Sequence, residues 1–307
     1  MSRLHTSHRA APLAAALLLF PAAASAAPRM AAAATDSLVP ITVRFAATVG
    51  DTPFTCGTSY PGVGTTRAAI TASDFRFYVH GVRLVTAAGD TVAAALRPEA
   101  PWQDADVALL DFENGQASCA NGTPELRDHV TVLAPAGDYR GVAFTLGVPF
   151  SRNHGELAQQ APPLSLSRLF WSWAGGYKFL RVDLRATAGD SAATPWMIHL
   201  GSTGCTPAPG AQSPTRCIHP NRATVALAGF NPARDVVVAD LGALLARADV
   251  RANQPKTAAG CMAADNDADC GALFASLRLP HRATTGADTP AFFRVVPGGA
   301  AGAATGH

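Results

Sequence analysis

The chain has 307 residues, of which 48% are hydrophobic and 15% charged, a balance that excludes a disordered chain and suits a sizeable packed core. Its 24 basic and 22 acidic residues give a formal charge of +2. Loss of Arg3 and Arg9 with a leader takes this to about zero, which argues against a strong nucleic-acid or anionic-membrane binder.

Residues 1–26 carry the pattern of a secretory signal peptide. Arg3 and Arg9 precede an apolar run, 10–20, that is too short to span a bilayer, and Ala24-Ser25-Ala26 offers a small-residue cleavage site. The expected location is therefore periplasmic or secreted after cleavage near Ala26. A flexible lead-in is expected over 27–38, a β domain over 39–297 and a disordered Gly/Ala tail over 298–307.

Period-two alternation predicts a half-buried strand over 41–49. Residues 50–72 read as loop. A strand over 74–85 puts Phe75, Phe77 and Val79 on one face and Arg76, Tyr78 and His80 on the other. Gly89-Asp90 then turns it into a hairpin with 91–96. Further strands are expected over 107–112, 139–148, 177–185, 196–200, 224–228, 236–239 and 292–296. Short helices fit 240–247, with Asp240 as N-cap, and 270–279. In the 177–185 strand, Leu180, Val182 and Leu184 face inward, a phase that also puts Lys178 on the apolar side. Many short strands with long loops and few helices predict an all-β fold: an antiparallel β-sandwich-like single domain.

Cys56, Cys119, Cys205, Cys217, Cys261 and Cys270 form an even set in an oxidising compartment, so three disulfides are expected. Cys205–Cys217 and Cys261–Cys270 each close a short loop, and Cys56–Cys119 follows by elimination. The absence of C-x-x-C and C-x-x-C-H disfavours thiol redox chemistry and covalent haem.

No H-E-x-x-H occurs. His154 follows the strand ending at Pro149, and His199 shares a strand face with Met197, a soft imidazole–thioether pair that suits Cu(I). Trp171 and Trp173 read from composition as an aromatic core plug; an exposed sugar-binding platform is the alternative. Asp265-Asn266-Asp267-Ala268-Asp269 opens like a calcium loop, but Ser276 stands where a bidentate Glu is needed. The sequence around Ser202 lacks the first Gly of a nucleophile elbow and the helix after it, which disfavours a secreted hydrolase.

Several phrases in order carry a family resemblance. They are Asp74-Phe75-Arg76-Phe77-Tyr78-Val79, Ala108-Leu109-Leu110-Asp111-Phe112, Leu146-Gly147-Val148-Pro149-Phe150 with Asn153-His154, Phe170-Trp171-Ser172-Trp173 with Gly176-Tyr177-Lys178-Phe179, and His199-Leu200-Gly201-Ser202-Thr203-Gly204-Cys205, then Cys217 and Pro220-Asn221-Arg222. Over about residues 40–296 the chain resembles the MbnP-like family, the metallo-mystery pair four-Cys motif proteins. The resemblance implies a non-enzymatic, exported copper-binding protein that acquires, stores or delivers copper. It also implies a MauG-like dihaem partner (MbnH-like) that oxidises a tryptophan to kynurenine, a residue that then helps to bind copper with histidines. Carried onto this sequence, the modified residue is Trp171 or Trp173, with Trp171 preferred, and the ligands are His154 and His199. His80 and Met197 are weaker ligand candidates on strand phase alone, and Trp196 is a further oxidation candidate. The alternative from the residues alone is a secreted carbohydrate-binding module using the Trp171/Trp173 pair.

Overall fold

A computed structural model describes residues 37–298, apart from 173, 190 and 285–290. The expected signal peptide, the lead-in as far as residue 36, Trp173 and the tail beyond 298 lie outside the described residues. Ten strands carry the fold: β1 Leu38–Val49, β2 Ala68–Thr86, β3 Ala108–Asp111, β4 His129–Pro135, β5 Tyr139–Leu146, β6 Leu180–Thr187, β7 Thr194–Leu200, β8 Ala223–Ala228, β9 Asp235–Asp240 and β10 Phe293–Pro297.

They form two sheets. One runs β10–β9–β1–β4 and ends on the short strand Ala95–Leu96. The other runs β8–β5–β2–β6–β7 and ends on Gly260–Cys261, with β3 also paired to β2. Alternation explains the packing between them. Phe75 and Phe77 leave the inner face of β2, Phe144 that of β5, and Phe45 meets Phe77 and Phe144 from β1 edge-to-face, at centroid distances of 6.1 and 5.6 Å. Phe293 on β10 closes the same cluster at 5.1 Å from Phe144. Such aromatic pairs add about 0.5–1.5 kcal/mol each beyond the area they bury. The all-β, sandwich-like expectation holds, with two parallel pairings inside it: β1 with β9, and β7 with Gly260–Cys261.

Asp240 caps the helix Leu241–Leu245 by accepting the Ala243 amide at 3.1 Å. Lys178 departs from its expected phase. The strand begins only at Leu180, Phe179 and Leu180 are both fully buried, and the Lys178 ammonium donates to the Arg168 carbonyl at 2.8 Å. Burial, reinforced by Arg181, lowers that ammonium to about 8. Part of the expected 50–72 loop is strand, since Tyr60–Val63 pairs with β2 and β2 itself begins at Ala68. Among the described residues, no helix is long and apolar enough to cross a membrane.

Three disulfides, Cys56–Cys119, Cys205–Cys217 and Cys261–Cys270, brace the loops, spanning 63, 12 and 9 residues. Loop-closure entropy makes the long one the largest contributor, about 4 kcal/mol against about 3 for each short one. Replacing Cys56 and Cys119 with Ser should therefore lower unfolding stability more than either of the other double replacements. Equal losses in denaturant titrations would show that loop length does not set the effect.

Candidate metal centre

The outer face of the second sheet carries the site. Alternation sends Asp74, Arg76, Tyr78 and His80 outward from β2, Arg181 and Asp183 from β6, and Met197 and His199 from β7. The strands align so that Asp74 lies opposite Asp183, Arg76 opposite Arg181, and Arg181 opposite His199. A bulge at Ser73, whose hydroxyl donates to the Asp183 carbonyl at 3.2 Å, shifts the β2–β6 register beside Asp183.

The segment between β5 and β6 folds back over this face. Tyr78 holds it down, its hydroxyl donating to the Pro163 carbonyl at 3.0 Å, and within the segment the Tyr177 hydroxyl donates to the Leu164 carbonyl at 2.6 Å. Within it, Phe170–Trp171 pairs with Gly176–Tyr177, Trp171 opposite Gly176. Trp171 is 5% exposed. Its ring lies over Gly201, where a Cβ would come within 2.6 Å of Cζ3. Glycine is thus required at 201 by the close approach of the indole. Pro220-Asn221-Arg222 fixes this backbone: the Asn221 amide donates to the Gly201 carbonyl at 2.8 Å, and the Ser202 hydroxyl donates to the Pro220 carbonyl at 2.7 Å.

His199 lies beside Trp171, ring centroids 6.3 Å apart. Its Nε2 is 2.6 Å from Asp183 Oδ1. Burial pushes the Asp183 carboxyl up, but hydrogen bonds from His199 and Arg181 outweigh it and hold the group well below the usual carboxylate range. An ionised carboxylate accepts only, so Nε2 carries a proton and Nδ1 is the nitrogen left to face a metal. Carboxylate-oriented imidazoles of this kind are the usual metal ligands.

His154 approaches the other strand of the same hairpin. Its Nδ1 donates to the Gly175 carbonyl at 2.8 Å, which leaves the lone pair on Nε2. Nε2 accepts from the Asn153 amide at 3.1 Å, while Asn153 Oδ1 accepts the Tyr177 amide at 3.0 Å. Burial lowers the His154 imidazole from its ordinary value; the Gly175 bond opposes this and the Arg222 charge adds to it. The ring is therefore held neutral, the form that binds metal. Arg222 itself, wedged against Phe150 and Phe179, is lowered to about 10 by burial.

Cys217 Sγ lies 3.4 Å from His154 Nε2. Among the described residues, His154, Cys205 and Cys217 are the group whose donor atoms lie within 4.8 Å of one another. Both sulfurs are spent in the Cys205–Cys217 bond, so neither is a thiolate ligand here.

The structure thus brings His154, His199 and Trp171 to one hairpin. His80 stands apart on β2, its Nδ1 at 2.8 Å from the Gly147 carbonyl. Met197 lies on the His199 side of β7 opposite Asp183. Trp196 points the other way, into the core, with its indole N–H donating to the Ala252 carbonyl at 3.2 Å. Asp183 was readable from sequence only as an outward charge. Its pairing with His199 depends on the β6–β7 register, which alternation alone does not give.

The fold and the site define a disulfide-braced β-sandwich that presents two oriented imidazoles on the hairpin carrying a buried tryptophan. The MbnP family model matches residues 39–263, and the chain belongs to the MbnP family. It is similar to the solved structure of MbnP from Methylosinus trichosporium, with 32% identity and a TM-score of 0.72, over 85% of this chain and 99% of that one. Comparison with curated proteins gives no match.

Proposed function

We propose that this chain is an exported copper-binding protein whose site is completed when Trp171 is oxidised to kynurenine by a MauG-like dihaem partner. It would acquire, store or deliver copper and catalyse nothing itself. One observation carries this reading: two imidazoles, each with an N–H directed at a fixed oxygen, lie against the hairpin that carries the buried Trp171, His154 at its Gly175–Gly176 end and His199 beside the indole. Intact indole is a poor donor. Kynurenine presents an aryl amine and a ketone in its place, and two imidazoles with one weaker donor suit Cu(I). His154 and His199 would hold the ion.

The oxidation takes four electrons from the indole, breaks its C2–C3 bond and leaves one water-derived oxygen on each carbon, the electrons reducing two equivalents of peroxide at the partner's haems; hydrolysis then releases the former C2 as formate. Peptide mass spectrometry of protein exported with its partner should therefore show a gain of about 4 Da on tryptic peptide 169–178, with fragment ions placing it at Trp171. An unmodified peptide in the presence of active partner would overturn the reading. The carbohydrate-platform alternative draws no support from Trp171, whose ring is covered by Gly201 and His199 rather than open to a sugar.

A further inference from the structure

Away from the hairpin, the outer-face charges continue along the sheet to a cleft. His199 contacts Asp183, Asp183 contacts Arg181, and Arg181 Nε lies 3.2 Å from Asp74 Oδ2. Asp74 also pairs with Arg76, whose Nη1 reaches Glu113 at 3.3 Å. Four carboxyl groups, Asp74, Asp111, Glu113 and Asp183, thus face two guanidinium groups, Arg76 and Arg181, with the Lys178 ammonium acting on Asp74 and Asp183.

Asp111 is the carboxyl left short. Its Oδ1 accepts the Glu113 amide at 3.1 Å. Its Oδ2 has the Arg76 guanidinium at 3.9 Å, beyond hydrogen-bond reach. Glu113, by contrast, also accepts the Gly115 and Thr123 amides at 3.1 and 3.3 Å. The Asp111 side chain is only 2% exposed, yet it lines an open cleft of about 390 Å³. Pro101, Trp102, Pro162 and Leu166 form the walls, Arg76 shares the floor, and Glu125 adds negative charge at the mouth. The volume lies in the small-molecule range, about 300–1,000 Å³, and apolar walls with a few convergent polar groups are the usual make-up of such sites.

We propose that this cleft binds a small organic cation, a planar amidinium or guanidinium group carried on an apolar body, with Asp111 as its counter-ion and Trp102 as its aromatic wall. The bound cation would give Asp111 Oδ2 the close partner that Arg76, at 3.9 Å, does not, and the Trp102 ring favours a cation beside it. Burial pushes Asp111 up to about 8, with Arg76 opposing and Glu113 and Asp74 adding to the rise. The Tyr78 hydroxyl, held well above its usual value by burial, stays neutral nearby. At pH 7 Asp111 is therefore largely protonated, and a cation that ionises it must displace its proton to solvent.

Three isosteres test this by calorimetry on the whole exported protein: benzamidine, benzamide and benzoate. Benzamidine should bind at millimolar concentration or tighter, with benzamide and benzoate at least about tenfold weaker. Repeating the titration in buffers of different ionisation enthalpy should show proton release on benzamidine binding. Asp111→Asn should lower benzamidine affinity at least about tenfold and abolish the release, since the amide cannot ionise. Should that variant fail to fold, Trp102→Ala on the half-buried wall should weaken binding while the proton count on the unaltered protein still reports on Asp111. Benzoate binding as tightly as benzamidine, no benzamidine binding at millimolar concentration, or binding without proton release would overturn the proposal.

Discussion

His199→Ala should abolish tight copper binding, with an affinity loss above about 100-fold in competition against a Cu(I) chelator. The expected size follows from the way the ring is held. Losing a group that only orients a ligand costs about 10–100-fold, so losing a ligand must cost more. Asp183→Asn supplies that smaller comparison. An amide in place of the carboxylate can present its NH₂ to Nε2, which favours the tautomer with its lone pair turned away from Nδ1. It should therefore weaken copper binding within the 10–100-fold band without removing the site. Unchanged affinity in His199→Ala would take His199 out of the coordination set. Equal losses in the two variants would mean that Asp183 acts by more than orienting the ring. Because His154 is lowered from its ordinary value, chiefly by burial, an NMR titration of the metal-free protein should show it taking up its proton below the range of an exposed imidazole.

The parts of this protein legible in its sequence are those where alternation is clean and local. Leu180, Val182 and Leu184 face the core against Arg181, Asp183 and Arg185, and the side chain of Asp240 caps the helix that follows it. The strand His129–Pro135 lies outside the expected strands although Val130, Val132 and Ala134 alternate with His129 and Thr131; Leu133 breaks the pattern on the polar phase, and Thr131, 5% exposed, is satisfied by Gln103 and Glu99. Tyr60–Val63 was hidden by Pro61 and Gly62, residues that ordinarily mark loops or edge strands. The pairing of β1 with β9 joins segments nearly 200 residues apart, Arg44 opposite Val236, and no local pattern encodes it. The site divides in the same way. His154, His199 and the two-tryptophan phrase were visible as motifs. Their convergence on one hairpin was not, because it depends on how the segment between β5 and β6 folds back across the sheet. The carboxylates around Arg76 were likewise unreadable, since which charges touch is decided by strand register and by the bulge at Ser73.

Trp171→Phe should prevent both the new near-ultraviolet chromophore and copper loading, whereas Trp173→Phe should leave both in place. Phenylalanine keeps an aromatic ring over Gly201 and beside His199, so the fold should survive and the loss should report chemistry rather than packing. The burial of Trp171 bears on how it would be oxidised. At 5% exposure the indole cannot meet a partner's haem edge, so an electron would have to leave through the protein from a docked partner. The surroundings suit that step. An indole that loses an electron becomes a cation, and the ionised Asp183 carboxylate lies one hydrogen bond away through His199. The same pair would then hold the new donor's neighbour in place. Oxidised and unoxidised protein should therefore differ sharply in Cu(I) affinity while sharing one unfolding midpoint in the absence of copper. Copper loading of Trp171→Phe to the level of the unaltered protein would show that the histidines suffice without the modified residue. A chromophore lost only in Trp173→Phe would move the oxidation two residues along the chain.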